Sequence, residues 1–300
     1  MKYRFNSFLV ISLVVSFIWS GCDKVDQPMD ITVEIIKDIT DTLFFADSIS
    51  VTERQVLLEE FTGHLCVNCP EASLEVHEWI EFYEHRLVAY GIHAGSLATP
   101  QPSGEYTNDF TNPDSDKIFG FYGLPPNPSA TVNRAVYNNN QVFYFIGGGV
   151  ENAVTAEFAK PSLVDLKLKN TYYPNYNTVV IDVLINFKEQ VGSTYKLAVM
   201  IAEDHIVAPQ KNNIEEIGPV PDWLDYEHRN VLRDAVSADV FGIDFSEGGT
   251  IVAGVEYFQR FNYIPDEAWI LSNCNIIAYV TDAVTEEVLQ VAELAVKTEK

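Results

Sequence analysis

The sequence predicts an α/β domain over residues 51–160, followed by an all-β antiparallel sandwich over residues 161–300. Two observations carry this. Up to about residue 160, short apolar runs alternate with segments of helical period, the pattern of a layered α/β fold. Beyond it, strand-like segments follow one another with turn residues between them, the pattern of a sandwich. The 300 residues give room for two ordinary domains, and 47% hydrophobic content is enough for their cores.

The chain opens on a processing signal. Lys2 and Arg4 are positive, Phe8 to Trp19 is an almost unbroken apolar run, and Ser20-Gly21-Cys22 follows. That is a secretory signal over residues 1–21, too short for a spanning helix. A cysteine directly after small residues resembles a bacterial lipoprotein box, which implies cleavage before Cys22 and a diacylglyceryl group on its sulfur. Trp19 departs from that pattern, where a Leu is usual. Residues 22–50 read as a solvated tether with short strands in "ITVEIIKDIT" and "TLFFADSISV".

Within the first domain, "RQVLLEEFT" is a buried strand. "PEASLEVHEWIEFYEHR" is a helix with Leu74, Trp79, Phe82 and Tyr83 on its apolar face, leaving His77 and His85 to solvent. "RLVAYGIHAG" is a second strand, "TPQPSGEYTNDFTNPDS" a loop and "DKIFGFYG" a short helix. "PSATVNRAV" and "QVFYFIG" are further strands, and "GGVENAVTAEFAKP" is a helix that stops before Pro161. In the second domain, "GPVPDWLDYEHRNVLRDAV" is a long loop ending in a helical or irregular segment, with Trp223 and Tyr226 packed onto the sandwich.

Charge narrows the function. The chain carries 43 acidic against 19 basic residues, a formal −24, and losing residues 1–21 takes it to about −26. Such a surface repels phosphate backbones and excludes nucleic acid as a partner. Gly147-Gly148-Gly149 lacks phosphate-binding spacing, and no Gly-x-Ser-x-Gly elbow occurs, so no cofactor site is predicted.

The chemistry concentrates in "VLLEEFTGHLCVNCP". Cys66 and Cys69 sit where a strand gives way to a helix. Free amides and the dipole at a helix N-terminus stabilise a thiolate, so Cys66 is the candidate attacker and Cys69 the resolver. A metal half-site and a passive staple remain alternatives. His64 and His93 would complete a Cys2His2 set for zinc or copper, but the spacing matches no recognised pattern. His93, at a strand end, is also a candidate tuner of thiol pKa. Cys274 is left as an odd, core-packed thiol.

"FYGLPPNPSATVNR", about sixty residues downstream, resembles the thioredoxin stretch that carries a cis-proline before a strand. The resemblance places Pro128 in that role and implies that Asn127 and Pro128 dock substrate peptide against the dithiol. Glu60, six residues before Cys66, matches the buried acid of thioredoxins and is a candidate proton acceptor for Cys69. Leu65, Val67, Asn68 and Pro70 depart from the usual active-site pattern. Pro70 suits only a first helical turn, so the helix is expected to begin at Cys69, with Asn68 and Glu71 as a capping box.

Together with "HRNVLRDAV" and "NIIAYVTDAVTEEVLQVAEL", these motifs are similar to the outer-membrane lipoprotein family called "outer membrane protein twenty-eight". That resemblance implies a thioredoxin-like domain, an immunoglobulin-like sandwich and an outer-membrane or cell-surface location. Two functions are expected. One is a lipid-anchored thiol–disulfide oxidoreductase acting on extracytoplasmic protein thiols or disulfides. The other is a non-enzymatic surface adhesin or assembly module with a static Cys66–Cys69 disulfide.

Overall fold

The computed structural model describes residues 48–299 apart from 146, 147, 190, 192, 193 and 247. The signal segment, Cys22 and most of the tether lie outside the described residues. Of the two strands expected in the tether, the second contributes β1 (Ile49–Val51).

The apolar run after Gln55 forms β2 (Val56–Thr62), and β3 (Leu87–His93) runs parallel beside it after α1 (Cys69–Phe82). Every residue of both strands is buried, as for strands covered on two faces. α2 (Pro113–Phe121), β4 (Ser129–Val132), β5 (Phe143–Tyr144) and α3 (Gly149–Phe158) follow, with β4 antiparallel to β2 and β5 antiparallel to β4. Side chains alternate across the sheet. Val56 and Leu58 pack with Ala72, Val76 and Val150 of the α1 and α3 layer, whereas Leu57 and Phe61 pack with Ile118 and Phe119 of α2.

The rest of the chain is β-rich. β6 (Val164–Tyr173), β7 (Thr178–Phe187) and β8 (Tyr195–Glu203) come first. Four two-residue strands follow: β9 (Ile206–Val207), β10 (Gln210–Lys211), β11 (Asp222–Trp223) and β12 (Glu227–His228). Then come β13 (Val231–Ala235), β14 (Ile243–Asp244), β15 (Glu256–Tyr263), β16 (Cys274–Asp282) and β17 (Val288–Ala295). One sheet has the order β1-β6-β7-β15, and its inner face packs on β8 and β16 through Leu166, Ile181, Ile185, Val199 and Ile276.

The larger sheet ignores the change of character at residue 160. Its order is β17-β16-β8-β13-β3-β2-β4-β5, so strands from both halves share one hydrogen-bonded surface. β13 is the join, antiparallel to β8 and parallel to β3 at Val231 opposite Gly91. This corrects the sequence expectation of a helical or irregular segment at "NVLRDAV". Val231 and Leu232 are completely buried between the two halves, and that tertiary position decides their conformation. Polar bonds reinforce the join. Gln290 donates to the Glu53 carbonyl and accepts from the Gln55 amide, while Arg54 donates to the Leu289 carbonyl.

Two details of α1 differ from expectation. It begins at Cys69 as anticipated, but the Asn68 side chain makes no capping bond and the capping box does not form. Its buried face is Cys69, Pro70, Ala72 and Val76, while Leu74 and Phe82 are 45% and 76% exposed.

Candidate functional site

Cys66 and Cys69 form a disulfide at the mouth of α1. The loop that presents them is pressed onto its neighbour: Leu65 N–H donates to the Leu97 carbonyl, and a Cβ on Gly63 would meet that same oxygen at 2.5 Å. Only glycine fits there. Cys66 and Cys69 are 3% and 2% exposed, so the disulfide is almost covered.

The cover comes from the second half of the chain. Residues 204–230, between β8 and β13, form a strap across the dithiol loop. The Gln210 side-chain amide donates to the Cys66 carbonyl at 2.8 Å and to the Gly63 carbonyl at 3.3 Å. The backbone amides of Lys211 and Asn213 donate to the carbonyls of His64 and Val67. The strap is itself fixed by Asp222, which accepts from the Tyr106 hydroxyl and the Lys211 ammonium, both at 2.5 Å. Trp223 packs directly on Gly218, where a Cβ would sit 2.2 Å from its ring.

Opening the strap is the expected route for reagents to reach the disulfide. Asp222→Ala should raise the rate at which dithiothreitol reduces Cys66–Cys69 by about tenfold, through two lost charge-assisted bonds. The check is a stopped alkylation time course on the folded protein. A rate within twofold of the parent's would show that the latch does not control access.

Behind Cys69 is a buried acid–histidine cluster. Glu60 and His93 lie on the same sheet face as α1, because β2 and β3 pair in register with Glu60 opposite Gly91 and Thr62 opposite His93. Glu60 is buried, its Oε1 has no hydrogen-bond partner, and burial pushes its carboxyl up to about 8. His93 is buried too, and burial together with the neighbouring His228 and His64 rings holds its pKa well below the ordinary histidine value. His228, delivered by the strap, is pushed down to about 3 by burial. All three line one cavity of about 10 Å³ with Cys69 and Gln210.

His64 is 1% exposed and its ring packs at an angle against Tyr106 and edge-on to Phe110, with burial lowering its pKa. The Cys2His2 set is not assembled: among the described residues no group of three or more His, Cys, Asp or Glu is placed to hold a metal. Asn127 and Pro128 stand at the start of β4, joined by a cis peptide bond. Asn127 Nδ2 donates to the Thr62 carbonyl at 2.9 Å, which ties the proline turn to the end of β2 just before the dithiol loop.

Comparison with known proteins adds a relationship. Residues 115–300 match the family described as "Outer membrane protein Omp28". The chain belongs to the Omp28 family. The family is one of outer-membrane lipoproteins, and its matched stretch holds Pro128 and the strap, while the dithiol lies outside it. Among solved structures, this Omp28-family chain is similar to HBP35 of Porphyromonas gingivalis, at 17% identity and a TM-score of 0.61, over 82% of this chain and 76% of that one. A domain of the outer membrane lipoprotein Omp28 from Porphyromonas gingivalis aligns at 16% identity and a TM-score of 0.30, over 46% of this chain and 92% of that domain. No curated protein matches the sequence. The HBP35 likeness extends to the overall β-rich fold.

The structure thus brings Glu60, His93, Cys66 and Cys69 together, with Asn127 bonded at the end of β2. Gln210, Tyr226, His228 and Arg229 also reach the site, and sequence reasoning missed them. No local signal marks them, since 117 or more residues separate each from His93. Trp223 and Tyr226 were expected to pack on the sandwich. They instead wall an apolar recess of about 210 Å³ against Pro70 and Leu74 of α1. His77, expected in solvent, is half-buried against Arg229 of the strap, whereas His85 is exposed. Glu59, the neighbour of Glu60 on β2, is fully buried on the opposite sheet face. Cys274 is buried and its thiol is pushed up to about 12, chiefly by burial, which leaves it inert.

Proposed function

We propose that this chain is a lipid-anchored thiol–disulfide oxidoreductase of the outer membrane, acting on extracytoplasmic protein thiols or disulfides through Cys66 and Cys69. On this reading, residues 51–160 are a thioredoxin-like domain, residues 161–300 an immunoglobulin-like sandwich, and Cys22 carries the lipid. The observation that carries the proposal is Glu60: a buried carboxyl whose Oε1 has no hydrogen-bond partner, six residues upstream of Cys66 and lining the same cavity as Cys69. A merely structural disulfide has no need of an acid stored behind it.

The chemistry balances without a cofactor. A partner thiolate attacks Cys66 Sγ, the Cys66–Cys69 bond breaks, and Cys69 leaves as a thiolate that takes the proton from Glu60. Cys66 is then in a mixed disulfide with the partner. A second partner thiolate releases Cys66, so two electrons enter the dithiol and the partner is oxidised to a disulfide. The reverse sequence reduces a partner disulfide, and Glu60 then takes the proton of Cys69 as it attacks. A carboxyl near 8 holds a proton at neutral pH yet gives it up to a thiolate, which suits both directions. Asn127 and Pro128 flank the path by which a peptide would approach.

The rival reading, a binding module with a static disulfide, draws support from the strap's cover over Cys66 and Cys69. Cys69→Ser separates the two. The variant should accumulate partner proteins disulfide-linked to Cys66, released by reductant and absent from Cys66→Ser/Cys69→Ser. If nothing is captured and the native disulfide reduces only in denaturant, the static reading stands.

A further inference from the structure

Three residues that line one pocket with Cys69 each carry an orphaned polar atom. Glu60 Oε1, His93 Nδ1 and His228 Nε2 are buried without hydrogen-bond partners, and their residues line one cavity of about 10 Å³. Orphaned buried polar atoms are costly, and three around one space is not a packing accident. The volume is that of one water molecule, which needs two to four polar partners. The donor and acceptor count closes as well. His93 makes a backbone hydrogen bond with Gly91 and His228 one with Pro209, so each ring presents its other nitrogen as an acceptor. A water there accepts from the Glu60 carboxylic acid and donates to the two ring nitrogens.

We propose that Glu60, His93 and His228 bind a single structural water beneath Cys69, and that the four groups form one proton-holding unit completed by the strap. This rests on the oxidoreductase reading for its use, though not for its existence. His93 and His228 are positioning residues: they touch the water and not the sulfur. Their neutrality matters, since a histidinium would favour the Glu60 carboxylate and discharge the proton that Cys69 requires. The remaining residues facing the cavity are Thr62 from β2, Cys69 and Ser73 from α1, and Gln210, Tyr226 and Arg229 from the strap. Arg229 is engaged with Glu227 at 3.0 Å and with His77, away from Glu60. Because His228 arrives on the strap, lifting the strap would open the unit to solvent at the same moment that it uncovers the disulfide.

The test uses the full chain in its disulfide form, with no partner. The ring ¹⁵N signals of His93 and His228 and the Glu60 carboxyl ¹³C signal are followed against pH. In the parent, all three should shift with a common midpoint, and Glu60→Gln should abolish that inflection in both histidines. His228→Leu should move the Glu60 midpoint by roughly one pH unit or more, and His228→Gln, which keeps a polar partner, should restore part of it. A crystal structure should hold a water within hydrogen-bond distance of all three atoms. Histidine signals flat through the Glu60 titration, or a Glu60 midpoint unmoved in His228→Leu and His228→Gln, would overturn the unit. If Cys69→Ser captures nothing while the coupled titration is present, the enzymatic reading falls and the water site stands.

Discussion

Arg134→Leu is expected to destabilise the fold by about 3–5 kcal/mol, the range found when one partner of a buried ion pair is removed. Arg134 and Glu59 are 1% and 0% exposed, and the guanidinium bonds the carboxylate through both Nε and Nη2, the shorter contact being 2.6 Å. Burial alone would raise the Glu59 carboxyl. The Arg134 charge and bonds from Arg134, Tyr90 and Thr131 outweigh it and leave the carboxyl below its ordinary value. Arg134 also donates to the Tyr279 hydroxyl at 2.9 Å, so the network ties β2 and the turn after β4 to β16 of the second half. Removing Arg134 strands a carboxylate inside the core. Adding Glu59→Gln should recover part of the loss, because the amide removes the charge while its one oxygen still accepts from Tyr90 and its NH2 can donate to the Thr131 hydroxyl. Urea unfolding of the three proteins measures both effects, and a loss below about 1 kcal/mol for Arg134→Leu would rule out the strong pair.

Glu60→Gln should reshape the pH dependence of stability in the opposite sense. The folded carboxyl is raised from an ordinary 4.5 to about 8. Between those values the folded state binds a proton that the unfolded chain has released. The stabilisation is therefore fully present below pH 4.5 and is lost as pH rises through 8. At about 1.4 kcal/mol per pH unit, the full span is roughly 5 kcal/mol, an upper figure that the bound water would reduce. His93 and His228 titrate with the other sign, losing stability as pH falls below the ordinary histidine value of 6.5. They are common to both proteins and cancel in the comparison. Relative to the parent, Glu60→Gln should be more stable at pH 9 than at pH 5 by a few kcal/mol. Equal differences at the two pH values would mean that Glu60 ionises in place without penalty.

Adjacent carboxylates thus serve opposite ends, and the period of the strand is the reason. Glu59 and Glu60 point to opposite faces of β2. One face meets Arg134 and is neutralised by charge. The other meets Cys69 and the histidines and is neutralised by a proton.

Local chemistry determined a good deal of this protein. The strand–helix junction at Cys66, the start of α1 at Cys69, the buried run of β2 and the turn into β4 all follow from residue type and spacing within a few positions. Glu60 could be nominated through the resemblance to thioredoxins, and His93 because it stands at a strand end. The alternating pattern beyond residue 160 also foretold the β-rich half. Only the tertiary structure decided what closes the site. The strap, with Gln210, Tyr226 and His228, arrives through pairings that span more than a hundred residues and carry no local signature. β13 became a strand because a gap between β8 and β3 needed filling with Val231 and Leu232. Leu74, which counted as core by its spacing, instead lines a recess shared with Trp223. Hydrophobic period specifies which residues avoid water. It does not specify which distant segment will cover them, and here that segment is what buries the disulfide and completes the cluster behind it.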